Sequence, residues 1–150
     1  MTSPGDNVLH AGLVALRLGG RWRGALILGP SGAGKSDLAL RALEAGFRLV
    51  ADDRVTVWTS GGALYGRAPD PLGGLIETRG LGVGAEPALR FAQVVLAVRC
   101  VPDGAAIERM PEVETEIVAQ TAIPLTRLDA REASAPAKLR RALLHLGHSL

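Results

Sequence analysis

The sequence predicts an α/β domain with a mixed, β-rich sheet and flanking helices. Two observations support this fold class. An apolar strand pattern runs into a glycine-rich loop, which is followed by a helical pattern and a second strand pattern. From Arg54 onward, short strand patterns alternate with glycine-containing turns until a final helical segment near the end of the chain.

The size and composition are those of one globular domain. The 150 residues are enough for a single core, which must consist mainly of Leu, Val, Ala and Ile because only 3% of the residues are aromatic. The net charge of +2 is too small to indicate nucleic-acid binding. We therefore expect residues 1–150 to form one domain, with residues 1–7 disordered because they are rich in turn-forming residues.

The sequence also indicates the cellular compartment of the protein. The longest apolar runs, such as Val94–Val98, are too short to span a bilayer. No basic segment precedes an apolar run at the N-terminus, as it would in a signal peptide. The single cysteine, Cys100, excludes an internal disulfide and is expected to be structural. These features predict a cytoplasmic protein that does not bind a membrane.

The elements of the first half centre on the glycine-rich loop. Val8–Leu18 is compatible with either a strand pair or a short helix, and residues 19–24 predict a turn. Ala25–Leu28 is a short strand that leads into the loop. Lys35–Ala45 predicts a helix with Leu38, Ala42 and Ala45 on one face. Gly46 is placed to end that helix, and Phe47–Ala51 predicts the next strand.

The second half is richer in strands. Val55–Trp58 and Ala63–Tyr65 predict a hairpin around the turn residues 59–62. Leu75–Arg79 is expected to be extended and to precede a glycine-rich loop. Further strands are predicted at Phe91–Val98 and Val113–Ile117, the latter with an acidic row that favours a solvated edge over a metal site. The last element is a helix, capped by Ser134, that spans Ala135–Leu146 and ends at Gly147.

The glycine-rich loop fits the phosphate-binding pattern G-x-x-x-x-G-K-S in full, with a strand before it and a helix after it. Glycines let the backbone curl so that several N–H groups point at phosphate oxygens, and the N-terminus of the helix adds partial positive charge. Lys35 supplies a point charge for the β- and γ-phosphates, and the Ser36 hydroxyl is placed to bind Mg²⁺. The predicted ligand is therefore ATP with Mg²⁺, bound by Gly29, Pro30, Ser31, Gly32, Ala33, Gly34, Lys35 and Ser36.

Asp52 and Asp53 are the carboxylates expected beside this loop. A helix of about 11 residues travels roughly 16 Å away from the loop. A strand of about five residues travels roughly 16 Å back, so Asp52 returns to the level of the phosphates. Adjacent residues on an extended chain face opposite ways, so one acid is expected to meet the metal or the reacting hydroxyl while the other holds local structure. The sequence leaves open which acid has which role.

Three further residues are candidates for the site. Period two places Glu77 and Arg79 on one face of a strand, where they could serve phosphoryl transfer or form an exposed ion pair. His10 precedes the other motifs, and a lone histidine is more often structural than functional.

In order, these motifs are His10, the loop G-P-S-G-A-G-K-S, the segment L-V-A-D-D-R-V from Leu49, and I-E-T-R-G-L-G from Ile76. Together they resemble the catalytic domain of HPr kinase/phosphorylase, a bacterial enzyme that acts on a serine of the phosphocarrier protein HPr. The resemblance covers about residues 8–100. It implies a P-loop fold related to phosphoenolpyruvate carboxykinase and an HPr-like protein substrate.

The resemblance also implies roles for individual residues. Asp52 is the expected base, and Lys35, His10 and Arg79 are expected in the catalytic site. Ser36 and Glu77 are the Mg²⁺ ligands that the resemblance implies, and Asp53, the other of the two adjacent acids, is expected to join them. The family is typically hexameric, so a homo-oligomer is expected.

Two departures from the family pattern stand out. The N-terminal domain that many members carry is expected to be absent, as in a short proteobacterial form. The Pro-Gly-Arg-Asn stretch near the family's C-terminus, linked to dephosphorylation, is also missing; Ile123–Lys138 replaces it, and Arg127, Arg131 or Lys138 is a candidate for the missing positive charge. Kinase activity is therefore expected more firmly than phosphorylase activity. The alternatives are a small-molecule kinase on a P-loop scaffold and a nucleotide-gated binding module.

Overall fold

The computed structural model describes residues 7–69 and 73–147. Within these ranges the chain forms eleven strands and two α-helices. The strands are β1 (Asn7–His10), β2 (Gly12–Leu18), β3 (Arg21–Leu28), β4 (Arg48–Ala51), β5 (Arg54–Ser60), β6 (Ala63–Arg67), β7 (Leu75–Thr78), β8 (Gly82–Ala85), β9 (Ala92–Cys100), β10 (Glu114–Val118) and β11 (Thr121–Leu128). The helices are α1 (Lys35–Glu44) and α2 (Ala135–Leu146).

Nine of these strands form one mixed sheet, and β7 and β8 form a separate two-stranded ribbon. The order in the main sheet is β1-β5-β6-β9-β3-β2-β4, with β11 and then β10 added beside the C-terminal half of β9. The strands β3, β9 and β11 are parallel. Because β3 and β4 both run antiparallel to β2, which lies between them, their carboxyl ends lie at the same edge of the sheet. The loop after β3 and the acids after β4 are therefore neighbours.

The central strands are buried on both faces. Along β2, Val14 and Leu16 belong to one apolar cluster and Leu13 and Ala15 to another, as the two-residue period of a strand requires. In the first cluster the two helices pack on the sheet through Leu38, Ala42, Leu139 and Leu143. The second cluster joins residues of β2 and β3 to residues of β5, β6 and β11. The predicted mixed, β-rich sheet with flanking helices is confirmed.

The first segment of the chain forms the strand pair rather than the helix. The turn predicted over residues 19–24 is shorter than expected, because only Gly19 and Gly20 turn, with φ of 57° and 78°. Two consecutive residues with positive φ make the tight hairpin turn that matches the natural twist of two antiparallel strands. The strand that leads into the phosphate loop consequently begins at Arg21.

The early start of β3 depends on a contact that the sequence pattern does not show. The guanidinium groups of Arg17 and Arg48 both lie over the indole ring of Trp22, at 5.9 and 5.6 Å from the ring centre. Arg17 comes from β2 and Arg48 from β4, so this cation–π contact joins three neighbouring strands. A segment that looks polar in sequence is thereby stabilised as a strand.

Two strands lie where the sequence predicts none. The first, β11, contains Pro124, which lowers the strand tendency of its segment, although the alternation of Ile123 and Leu125 was an available signal. Pro124 lies just before the part of β11 that pairs with β9. The second, β8, lies in the predicted glycine-rich loop and owes its extended shape to pairing with β7.

The helix ends follow the predictions closely. The first helix ends one residue early, at Glu44, and Gly46 follows with φ of 98°, the left-handed conformation expected after a helix. The final helix has the predicted bounds, but Ser134 makes no side-chain capping hydrogen bond, and Gly147 has φ of −87° and is not left-handed. Glycine is required there for space, because a Cβ would lie 2.9 Å from Val95 Cγ2.

The prediction of disorder over residues 1–7 is wrong at Asn7, which pairs with Val57 in the main sheet. Residues 1–6 lie outside the described residues. In the part of the chain that the structure describes, neither helix has the length and apolar character needed to cross a bilayer.

Candidate functional site

The predicted phosphate loop lies between the end of β3 at Leu28 and the start of α1 at Lys35. Gly29, Gly32 and Gly34 have φ of 147°, 82° and 90°, which side chains other than glycine rarely adopt. The loop is therefore wound so that its shape depends on its glycines. Gly34 also precedes the first residue of the helix, where free backbone N–H groups face outward.

The ends of two neighbouring strands, β9 and β11, pack against the loop. A Cβ at Gly29 would lie 2.9 Å from the carbonyl oxygen of Cys100, at the end of β9. A Cβ at Gly34 would lie 3.3 Å from the Cβ of Ala130, which follows β11. Gly29 is thus required by packing as well as by φ, whereas Gly34 is tightly packed and is required by its φ. Burial raises the pKa of the Cys100 thiol to about 11, so it is a neutral, structural group at neutral pH.

The Lys35 ammonium spans its own loop. It donates hydrogen bonds to the carbonyl oxygens of Gly29 at 2.8 Å and Pro30 at 3.1 Å. The positive charge is therefore held at the mouth of the loop, where phosphate oxygens would replace the carbonyls as partners.

Asp52 joins the phosphate loop to the β7–β8 ribbon. The Ser36 hydroxyl donates to Asp52 Oδ1 at 2.8 Å, and the backbone N–H of Glu77 donates to Asp52 Oδ2 at 3.0 Å. The predicted return of the chain to the level of the loop is therefore confirmed in position. One carboxylate contacts both the hydroxyl expected to bind the metal and the segment that carries the expected metal ligand Glu77.

Asp53 does not follow the extended geometry on which its predicted role was based. Its φ is 69°, in the left-handed region, and Arg54 N–H donates to the Asp52 carbonyl at 2.8 Å across this tight turn. Simple alternation of adjacent side chains therefore does not apply here. The Asp53 residue is exposed, while its backbone carbonyl accepts a hydrogen bond of 3.0 Å from Ala11 N–H.

His10 lies close to this turn although it is far from it in sequence. It is the last residue of β1 and pairs in register with Arg54, the first residue of β5. The Ala11–Asp53 hydrogen bond fixes the backbone next to it. The His10 residue is exposed, and its strand lies beside the turn that carries the two acids.

Glu77 and Arg79 do not share a strand face. The strand β7 ends at Thr78, and Arg79 lies in the turn that follows it. Both residues are exposed. Among residues 7–69 and 73–147, no three His, Cys, Asp or Glu side chains are grouped closely enough to hold a metal by themselves. Mg²⁺ bound to phosphates needs only one or two protein carboxylates, so a site without a larger cluster is compatible with the expected ligands Ser36 and Glu77.

One segment beside the phosphate loop was not predicted from the sequence. It follows β11 and runs along α1, where the Arg41 guanidinium donates to the carbonyl oxygens of Ala130 and Glu132. Arg41 also binds the Asp37 carboxylate at 3.0 Å. The i,i+4 spacing of Asp37 and Arg41 was visible in the sequence, but the two carbonyl partners lie about ninety positions away and gave no signal.

Each candidate for the missing positive charge is paired with an acid. Arg127 binds Glu114 at 3.0 Å, across the β10–β11 pair, and Lys138 binds Glu132 at 2.9 Å. Arg131 binds Asp129 at 3.1 Å at the carboxyl end of β11, next to Ala130 and the phosphate loop. In the predicted acidic row, Glu116 forms an ion pair with Arg99, just as Glu114 does with Arg127.

The family model of the HPr Serine kinase C-terminal domain matches residues 7–86, which include the phosphate loop, both aspartates and the β7–β8 ribbon. The chain belongs to this family. In this HPr serine kinase C-terminal domain, Asp52 joins the phosphate loop to the ribbon, while residues 87–147 lie outside the match.

Two relatives are proteins named HPr kinase/phosphorylase. The one from Clostridium tetani is 42% identical over 78 residues, which are 52% of this chain and 26% of that protein. The one from Brevibacillus brevis is 51% identical over 61 residues, which are 40% of this chain and 20% of that protein. The chain therefore spans about a quarter or less of the length of these relatives.

The fold extends beyond the matched segment. The Hpr(Ser) kinase/phosphatase structure from Coxiella burnetii superposes with a TM-score of 0.77 at 20% sequence identity, covering 92% of this chain and 88% of that chain. Because the sequence identity is low, this likeness establishes the fold alone. It extends that fold to the part of this chain that follows residue 86. The predicted HPr kinase type of P-loop fold is confirmed.

Proposed function

We propose that this domain transfers the γ-phosphate of Mg-ATP to a serine of an HPr-like phosphocarrier protein. The observation that carries the proposal is the position of Asp52, which accepts hydrogen bonds from the phosphate-loop residue Ser36 and from the backbone of Glu77. Membership of the HPr serine kinase family and relatives named HPr kinase/phosphorylase support the choice of substrate. A cytoplasmic location and assembly into a homo-oligomer, a hexamer by family resemblance, are part of the same proposal.

In this proposal each residue has a chemical role. The backbone of residues 29–36 binds the phosphates, and Lys35 offsets their charge. Mg²⁺, when bound through Ser36, Glu77 and Asp53, would reduce the charge repulsion between the phosphates and the attacking oxygen. In the same proposal, His10 and Arg79 contact the phosphoryl group or the acceptor.

The proton and the phosphoryl group are transferred in one concerted step. The serine oxygen forms a bond to the γ-phosphorus while the bond from that phosphorus to the β–γ bridging oxygen breaks, so that ADP leaves. Asp52 takes the serine proton as the oxygen attacks. In the phosphorylase direction, an oxygen of inorganic phosphate would attack the phosphoserine phosphorus while the bond from that phosphorus to the serine oxygen breaks, so that pyrophosphate leaves. Asp52 would then return the proton to the serine oxygen.

The test is incubation of the chain with labelled Mg-ATP and a purified HPr protein, followed by mass spectrometry. We expect acid-stable phosphoserine on HPr, and none when Lys35→Ala replaces the wild type or when EDTA removes the metal. Label on a sugar or nucleotide instead would identify a small-molecule kinase. ATP binding without transfer to any acceptor would identify a binding module.

A further inference from the structure

The β7–β8 ribbon is separate from the main sheet and is closed at both ends. Glu86 N–H donates to the Gly74 carbonyl at 2.8 Å at its base, and Leu81 N–H donates to the Thr78 carbonyl at 2.9 Å at its tip. The partners within it run from Leu75 with Ala85 to Thr78 with Gly82. The ribbon is therefore a defined hairpin that projects from the domain beside the site.

The two faces of the hairpin differ in character. Ile76 is 4% exposed and belongs to the apolar cluster that contains α1, so its face is the inner one. Gly84 is its cross-strand partner. Because side chains alternate along a strand, the outer face carries Leu75 and Glu77 from one strand and Val83 from the other. Glu77, the expected metal ligand, is thus flanked by apolar side chains.

The outer face and tip are unusually apolar for a surface. Leu81 is 86% exposed, Val83 69% and Leu75 37%, and every residue of β8 is exposed. Exposed apolar groups that cluster on a projecting element commonly mark an interaction site. Single exposed apolar residues need no explanation, but here three lie on one short hairpin.

The hairpin is attached to the candidate base. The hydrogen bond from Glu77 N–H to Asp52 Oδ2 sets the position of β7 relative to Asp52. Leu81 follows Glu77 by four positions, so their Cα atoms are at most roughly 14 Å apart. A protein held by the tip and outer face would therefore have its surface within reach of Asp52.

We infer that the outer face and tip, with Leu75, Val83 and Leu81, dock the protein that carries the acceptor serine, through apolar side chains of that protein. The inference rests on the proposed function. Three side chains offer roughly a few hundred Å² of apolar surface, far below the ~1,200–2,000 Å² buried in stable assemblies. Such a contact suits a substrate that must leave after each turnover better than it suits a permanent second copy of the chain. Docking would also exclude water from Glu77 and Asp52 during transfer.

The test compares the double variant Leu81→Ser/Val83→Ser with the control Ile117→Ser. Ile117 is 69% exposed, as is Val83, but it lies on β10 in the main sheet. We measure KM for HPr, KM for ATP and kcat, and also the Kd of HPr for the ADP-bound chain by calorimetry. For the double variant, KM and Kd for HPr should rise about tenfold, the loss expected for one buried leucine, while KM for ATP stays within about twofold. Ile117→Ser should behave as the wild type.

Several outcomes would overturn the docking surface. One is an unchanged KM and Kd for HPr in the double variant, and another is an equal loss in the Ile117 control. A change of oligomeric state in the double variant, measured by sedimentation, would show that the face joins copies of the chain. If wild-type chain binds HPr without phosphorylating it, the proposed function fails while the Kd comparison still decides the docking surface. If HPr does not bind at all, the docking inference is wrong.

Discussion

The Asp52 carboxylate accepts hydrogen bonds from two elements, the phosphate-loop helix and the β7–β8 ribbon. Each of its oxygens accepts one of these hydrogen bonds. An acid in this position can orient the Ser36 hydroxyl and can also take a proton from an attacking alcohol. These two functions can be separated by substitution, because only the second requires a group that accepts a proton.

Asp52→Asn should retain nucleotide binding and lose serine phosphorylation. The amide oxygen can still accept from Glu77 N–H, and the amide NH₂ can donate to the Ser36 oxygen, so the local geometry is preserved. The amide cannot accept the serine proton, and we expect the transfer rate to fall by at least ~100-fold. Single-turnover phosphorylation and calorimetric titration with Mg-ADP measure the two effects.

The matched control for this substitution is Glu44→Gln, which removes an exposed carboxylate at the far end of α1. It should leave both measurements unchanged. A transfer rate of Asp52→Asn equal to that of the wild type would show that another group takes the proton.

Among the elements, α1 and the segment after β11 act together through Arg41. Its guanidinium satisfies the carbonyl oxygens of Ala130 and Glu132, and Ala130 lies against Gly34 of the phosphate loop. Arg41→Gln would leave both carbonyls without this charged donor, so that segment should shift and the loop should bind phosphate less well. We expect KM for ATP to rise about tenfold while KM for HPr is unchanged, measured by steady-state kinetics.

The control is Asp37→Asn, which removes only the exposed part of the same network. The Asp37 side chain is 66% exposed in its ion pair with Arg41, and such surface pairs contribute little. Its KM for ATP should stay within about twofold of the wild type. Equal effects of the two substitutions would show that the ion pair, rather than the two carbonyl contacts, is what the loop requires.

The ends of β9 and β11 are joined through Asp129. The Arg131 backbone N–H, at 2.9 Å, and then its guanidinium hold the pKa of the Asp129 carboxyl below its usual range. Because the pKa is lower in the folded state, this stabilisation is complete above the unfolded pKa of about 4 and is lost as the pH falls through the folded value. Asp129→Asn should therefore lower the urea midpoint at pH 7, and its deficit should shrink at pH 3. A deficit of the same size at both pH values would contradict this linkage.

At the scale of the whole molecule, the family-matched residues 7–86 and the later residues share one core. Leu139 of α2 is fully buried in the cluster that also contains Leu38 and Ile27. Removing a buried leucine side chain costs about 2–5 kcal/mol, so Leu139→Ala should lower the free energy of unfolding by that amount. Leu144→Ala, on the same helix but 41% exposed, should cost less than about 1 kcal/mol.

Urea unfolding followed by two probes tests whether this is one cooperative unit. Both tryptophans, Trp22 and Trp58, lie in the family-matched part, whereas Leu139 lies outside it. If residues 7–147 unfold together, tryptophan fluorescence and far-UV circular dichroism will show the same shifted midpoint in Leu139→Ala. A tryptophan transition that stays at the wild-type midpoint would instead indicate two independent units.

Elements defined by neighbouring residues were predictable from the sequence. The phosphate loop was found because its glycines, Lys35 and Ser36 are consecutive, and α2 because its apolar period and its flanking Ser134 and Gly147 are local. The position of Asp52 followed from element lengths alone, since one helix and one strand of known rise return the chain to its starting level. The strand β11 was missed because the proline within it outweighed a short apolar alternation.

The sequence by itself determined the P-loop, the order of its motifs and the family they belong to, because these depend on residues close together in the chain. Only the tertiary structure decided which contacts complete the site. These are the hydrogen bond from Glu77 N–H to Asp52, the packing of Ala130 against Gly34, and the pairing that places His10 of β1 beside Arg54. Those contacts join residues twenty-five to ninety-six positions apart. They depend on strand order and register, which local patterns of apolar and polar residues do not encode.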